Sequence, residues 1–147
     1  MSRLERLIGR LEESTSQVRV ILDAGEAYLA WQRDDSANER DTRPWEKYLA
    51  SIERAVRDIA RKHRCTVDLT YESFKSAYFD VEYELETPDD YFSGSIQVRV
   101  SNHKQRYGGP VWSFEPDDDR RDVERGLRAV DEAVRDMVQE VKDDAEE

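Results

Sequence analysis

A chain of 147 residues has room for one domain with a real core, and 34 acids against 23 bases give it a formal net charge of −11, a field that repels nucleic-acid backbones and anionic membranes. Charged residues make up 39% and hydrophobic ones 37%; such a balance can accompany disorder, but three Trp, seven Tyr, four Phe and clear apolar periodicity point to a folded chain. The single Cys65 excludes an intramolecular disulfide, and no apolar run approaches the roughly 20 residues of a membrane span.

Met1-Ser2-Arg3-Leu4-Glu5-Arg6 offers no apolar stretch of the kind a signal peptide needs, so a cytoplasmic protein is expected. Only five of the bases are Lys and eighteen are Arg. That usage also fits a salt-adapted or GC-rich source, in which the charge would serve the environment rather than a partner.

Ser2 and Glu5 have capping-box spacing, and Leu4, Leu7, Ile8 and Leu11 share one helical face, which predicts a helix over 2–14. Ser14-Thr15-Ser16 interrupts the pattern. A second helix, with Val18, Ile21, Leu22, Tyr28 and Leu29 as its apolar face, is expected to reach Gln32. Residues 34–43 are polar and read as an exposed loop, with Thr42 able to cap the next helix and Pro44 tolerated in its first turn. Trp45, Leu49, Ile52, Val56, Ile59 and His63 then mark one stripe on a helix over 44–63.

Four strands follow. Cys65, Val67, Leu69 and Tyr71 alternate with Thr66, Asp68, Thr70 and Glu72. Over 77–86, Phe79, Val81, Tyr83 and Leu85 fall on one face and Asp80, Glu82, Glu84 and Glu86 on the other. Pro88, Asp89, Asp90 and Gly94 mark the next connection, and Ile96, Val98 and Val100 alternate with Gln97, Arg99 and Ser101. Gly108-Gly109-Pro110 signals a turn into a short edge strand over 111–114. Pro116 and Asp117, Asp118 and Asp119 open a last helix with the stripe Val123, Leu127, Val130, Val134, Met137 and Val141, weakened only by Gly126. The tail from Asp143 to Glu147 is expected to fray.

The order predicts a single α+β domain over 1–147: N-terminal helices over 1–33 that could project, then a helix–sheet–helix core over 44–145. That core holds a four-stranded antiparallel meander and a long C-terminal helix. Each strand has one apolar and one polar face, as antiparallel sheets with one solvated side do. A homodimer through the N-terminal helices is a further expectation.

Outward side chains on one strand recur about every 6.8 Å, so the row Asp80, Glu82, Glu84 and Glu86 presents regular negative charge that could imitate a nucleic-acid backbone. With Asp117, Asp118 and Asp119 it forms a candidate acidic binding face for a protein partner with a basic surface. The bland alternative is a solvated face whose acids pair with Arg99 and Lys75 across strands. A metal-dependent hydrolase of nucleic acid or nucleotide is the catalytic alternative, with Asp68, Asp80 and Glu82 around a cation and His103 as acid or base. Tyr78, Arg99, Ser101 and His103 form a candidate small polar site. His63 reads as a half-buried helix-end residue, where a cation suits the helix dipole. No phosphate-binding loop, nucleophile motif or metal-ligand spacing appears, so no cofactor and no direct nucleic-acid contact are expected.

Lys75-Ser76-Ala77-Tyr78 followed by Ile96-Gln97-Val98-Arg99-Val100-Ser101-Asn102-His103 resembles a pattern of uncharacterised phage and plasmid proteins. In these a Ser-x-Tyr strand precedes a strand ending Arg-x-Ser-Asp-His. The likeness covers about thirty residues and departs at Asn102, where the pattern has Asp. It implies a mobile-element origin and no particular activity.

Overall fold

The computed structural model describes residues 2–34, 43–75, 78–88, 93–102 and 109–146, apart from the side chains of 6–15, Lys75 and Glu146. The loop expected over 34–43 lies almost wholly outside the described residues, as do Thr42, Asp89, Asp90, His103, Gly108 and Glu147 and the side chains of Leu7, Ile8 and Leu11.

Helix α1 spans Arg3–Arg33 and is capped by Ser2, whose hydroxyl accepts from the Glu5 N–H at 3.1 Å. It is one helix of 31 residues where the sequence suggests two. Ser and Thr lower helix propensity by roughly half a kcal/mol each, too little to stop a helix whose apolar face continues into a core. That face is Val18, Ile21 and Tyr28, all buried. Gly25 lies against the carbonyl of Pro116, where a Cβ would come within 2.6 Å of the oxygen. Glycine therefore sets how closely α1 approaches the turn before the last helix.

Helix α2, Arg43–Lys62, buries Trp45, Tyr48, Ile52, Ala55, Val56 and Ala60. Leu49 and Ile59, expected at the centre of its stripe, sit half-buried on the flank. The helix closes with the Cys65 N–H on the Ala60 carbonyl at 2.8 Å and the Arg64 N–H on the Arg61 carbonyl at 3.1 Å. This is the Schellman pattern, with Arg64 in the left-handed position at φ 60°.

Strands β1 (Thr66–Lys75), β2 (Tyr78–Glu86), β3 (Ser95–Ser101) and β4 (Pro110–Phe114) lie side by side in that order. β1–β2 and β2–β3 are antiparallel, but β4 runs parallel to β3. The meander is therefore antiparallel only through β3. Pro110 pairs with Gln97, four residues back from Ser101, a return of about 13 Å at 3.3 Å per residue. The intervening chain is long enough to cover that distance, and Gly109, at φ 134°, takes a backbone conformation that side chains resist.

β1 carries a register shift between Leu69 and Tyr71. Thr70 is the extra residue, and its hydroxyl donates to the Glu82 carbonyl at 3.2 Å. Past this bulge the faces exchange: Tyr71 stands opposite Glu82, and Glu72 opposite Val81. The strict alternation expected through Glu72 thus stops at Leu69. The same shift turns Phe74 toward Phe79 and stacks it on Trp45 at 5.3 Å between ring centres.

Helix α3, Arg120–Glu146, and α2 pack against the sheet, and α1 packs on both, reaching the sheet through Tyr28. Phe79, Val81, Tyr83 and Leu85 of β2, Val98 and Val100 of β3 and Phe114 of β4 meet Val123, Val130, Val134 and Met137 of α3 in one core. Among the described residues no helix is long and apolar enough to cross a membrane.

Candidate functional site

Burial alternates along β2: Phe79, Val81, Tyr83 and Leu85 are buried, and Asp80, Glu82, Glu84 and Glu86 lie on the opposite, half-buried side. Helices cover the first side, so the carboxylates stand on the sheet face away from the core.

The cross-strand register assigns each acid its neighbours. Asp80 lies between Ser73 and Ser101, Glu82 between Tyr71 and Arg99, Glu84 between Asp68 and Gln97, and Glu86 between Thr66 and Ser95. Arg99 passes over its direct neighbour and takes Asp80 with both oxygens, Nε to Oδ1 at 2.7 Å and Nη2 to Oδ2 at 2.8 Å. The Arg99 side chain is 6% exposed and that of Asp80 19%, so this pair is largely desolvated and belongs to the sheet's own structure.

Among the described residues Asp68, Glu82, Glu84 and Glu86 have no ion-pair partner. The Glu86 carboxyl is pushed up by a hydrogen bond shared with Glu84, by the charge of Glu84, by slight desolvation and by the charge of Asp68. Like charge is therefore crowded at the Glu84–Glu86 end. At the other end stand two exposed phenols, Tyr71 at 50% and Tyr78 at 60%.

A second acidic group occupies the turn between β4 and α3. Asp119 caps α3, accepting from the Asp122 N–H at 2.8 Å, while the Asp122 carboxylate accepts from the Asp119 N–H at 3.3 Å. Asp118 accepts from the Glu115 N–H at 3.0 Å. Burial pushes its carboxyl up to about 7 against that hydrogen bond, with the charges of Asp122, Glu115 and Asp117 adding to the rise. The group faces α2: the Tyr48 phenol is held well above its usual range by burial, then by Asp118, Glu115 and Asp117. Carboxylate oxygens of Glu115, Asp117 and Asp118 lie within 4.8 Å of one another. Asp118 is thus half-buried in the turn, while Asp117 and Asp119 are both exposed, Asp119 being engaged as the helix cap.

A scan against protein-family models, a search of the curated proteins and a search of the solved structures found no match.

The proposed cation ligands Asp68, Asp80 and Glu82 do not converge. Asp68 faces Glu84, two rungs from Asp80, and both oxygens of Asp80 are held by Arg99. Of the small polar site, Arg99 and Ser101 flank Asp80, Tyr78 stands at the strand end, and His103 lies outside the described residues. Asn102, where the phage-like pattern has Asp, donates from Nδ2 to the Tyr28 hydroxyl at 2.8 Å and accepts the Phe79 N–H at 2.9 Å. The position where the sequence departs from the pattern is thus one that ties α1 to the sheet. From the sequence, Arg99 pairs with the acids across strands with no one acid singled out; register sets it opposite Glu82, yet it takes Asp80. The Asp119–Asp122 cap was visible in the spacing of an acid three residues after another.

Proposed function

We propose that the protein is a non-catalytic interaction protein that docks a basic surface of a protein partner on the outer face of its sheet. The observation that carries this reading is the set Asp68, Glu82, Glu84 and Glu86: like charges gathered on one face, without ion-pair partners among the described residues, while the one buried cation of that face is spent on Asp80. A basic partner would relieve that crowding, and the field of a −11 chain would speed its approach. Tyr71 and Tyr78 supply the large amphipathic contacts on which interface energy concentrates. The short likeness to phage and plasmid proteins adds a direction: an accessory factor acting on a nucleic-acid-handling partner.

The test is affinity capture from the native host with the wild type beside a Glu82→Gln, Glu84→Gln, Glu86→Gln variant. A partner retained by the wild type should be lost by the variant. Its binding should weaken steeply between about 50 and about 500 mM salt, as screening shortens to a few ångström. Binding indifferent to salt and to the three substitutions would sink the reading.

A further inference from the structure

The C-terminal ends of α2 and α3 and the β2–β3 connection border an open cavity of about 450 Å³, within the roughly 300–1,000 Å³ of small-molecule sites. Its half-buried lining combines the apolar Val138 and Val141 with the polar His63 and Thr87. Its exposed lining carries three cations, Lys62, Arg64 and Lys142, beside Pro88 and Ala145. In a chain with 34 acids and only five Lys, two lysines and one of the two histidines, His63, border the same cavity.

Among the described residues one acid, Asp131, pairs with this group. Asp131 accepts from Lys62 Nζ at 3.2 Å and lies 2.7 Å from His63 Nε2. Burial alone would raise the Asp131 carboxyl, but the hydrogen bonds and charges of His63 and Lys62 hold it below its usual range. That pair occupies Lys62. Among the described residues Arg64 and Lys142 have no ion-pair partner.

Helix-end electrostatics account for Lys62 in the last turn of α2. They do not account for Arg64, which stands past the helix in the left-handed position where glycine is the common residue. A side chain held there against its own backbone preference is the kind of outlier that function retains.

We propose that this cavity binds a small amphiphilic anion, a carboxylate or phosphate head on a short apolar body. Arg64 and Lys142 hold the head, and Val138 and Val141 receive the body. The site is separate from the acidic sheet face, and the two can fail independently.

Octanoate and octyl phosphate, below their micelle-forming concentrations, serve as probes in a chemical-shift titration, with inorganic phosphate as the head alone. At least one of the two should saturate with a dissociation constant of about 1 mM or tighter, moving the His63 and Val141 signals, and the preferred one identifies the head. Arg64→Gly should weaken that binding by about tenfold or more while leaving the melting temperature unchanged or higher, because glycine suits the left-handed position. Lys142→Gln, an exposed change on α3, should weaken it in the same direction. Failure of both probes to saturate, or binding unaltered in both variants, would overturn the proposal.

Discussion

The side chain with the sharpest consequence is Asp118. Its carboxyl is pushed up from 3.8 to about 7 by burial beneath the β4–α3 turn, with Asp122, Glu115 and Asp117 adding to the rise. Between those two values the folded chain keeps a proton that the unfolded chain releases, so raising the pH favours the unfolded state. The stabilisation this group contributes is therefore complete in acid and is lost as pH climbs through about 7. Melting temperatures measured from about pH 5 to about pH 8 should fall for the wild type, and Asp118→Asn should flatten that slope. Asn keeps an oxygen for the Glu115 N–H and has no proton to lose. A variant with an undiminished slope would place the pH dependence on another group.

Among the elements, α3 shows why a defect in a pattern can be a requirement of the packing. Its stripe is continuous except at Gly126, and Gly126 is where Trp112 and Phe114 of β4 press on the helix. A Cβ there would overlap Trp112 Nε1 and come within 2.6 Å of Phe114 Cε1. Alanine would gain about 1 kcal/mol of helix propensity and meet an overpacking penalty of about 1–3 kcal/mol. Gly126→Ala should therefore destabilise the chain by about 1 kcal/mol, lowering the melting temperature by about 2–5 °C in a calorimetric scan. A stabilised variant would mean that the two rings yield freely.

The same helix shows what the sequence could express. Stripes of period 3.6 and alternation of period two are local, so α2, α3, β2 and β3 were legible, including which side of β2 would be anionic. The direction of β4 was not, because a strand alternates identically whether it runs parallel or antiparallel. Nor was the Thr70 bulge, which exists only in the register of β1 against β2. The break suggested by Ser14-Thr15-Ser16 failed because weak local preferences yield to a continuing apolar face. At the candidate site the acids were legible as a row and the Asp119 cap in its local spacing, but the removal of Asp80 from the row by Arg99 and the burial of Asp118 depend on contacts between elements.

At the scale of the whole molecule the question is whether the sheet's acids serve the fold or something outside it, and salt separates the two. Neighbouring acids of β2 are about 6.8 Å apart along the strand, inside the screening length of about 10 Å at 0.1 M salt and well beyond the roughly 3 Å at 1 M. Their mutual repulsion is therefore felt at low salt and extinguished at high salt. If these charges are held ready for a basic partner, they burden the isolated chain, as groups placed for binding commonly do. The Glu82→Gln, Glu84→Gln, Glu86→Gln variant should then melt above the wild type at low salt, and the two curves should converge as salt approaches about 1 M. The Glu86 carboxyl, raised first by its neighbour Glu84, marks where the gain is largest, so Glu84→Gln alone should recover much of it. Should the triple variant melt below the wild type at low salt, the acids would be stabilising members of the sheet, and an account that reserves them for a partner would have lost its physical basis.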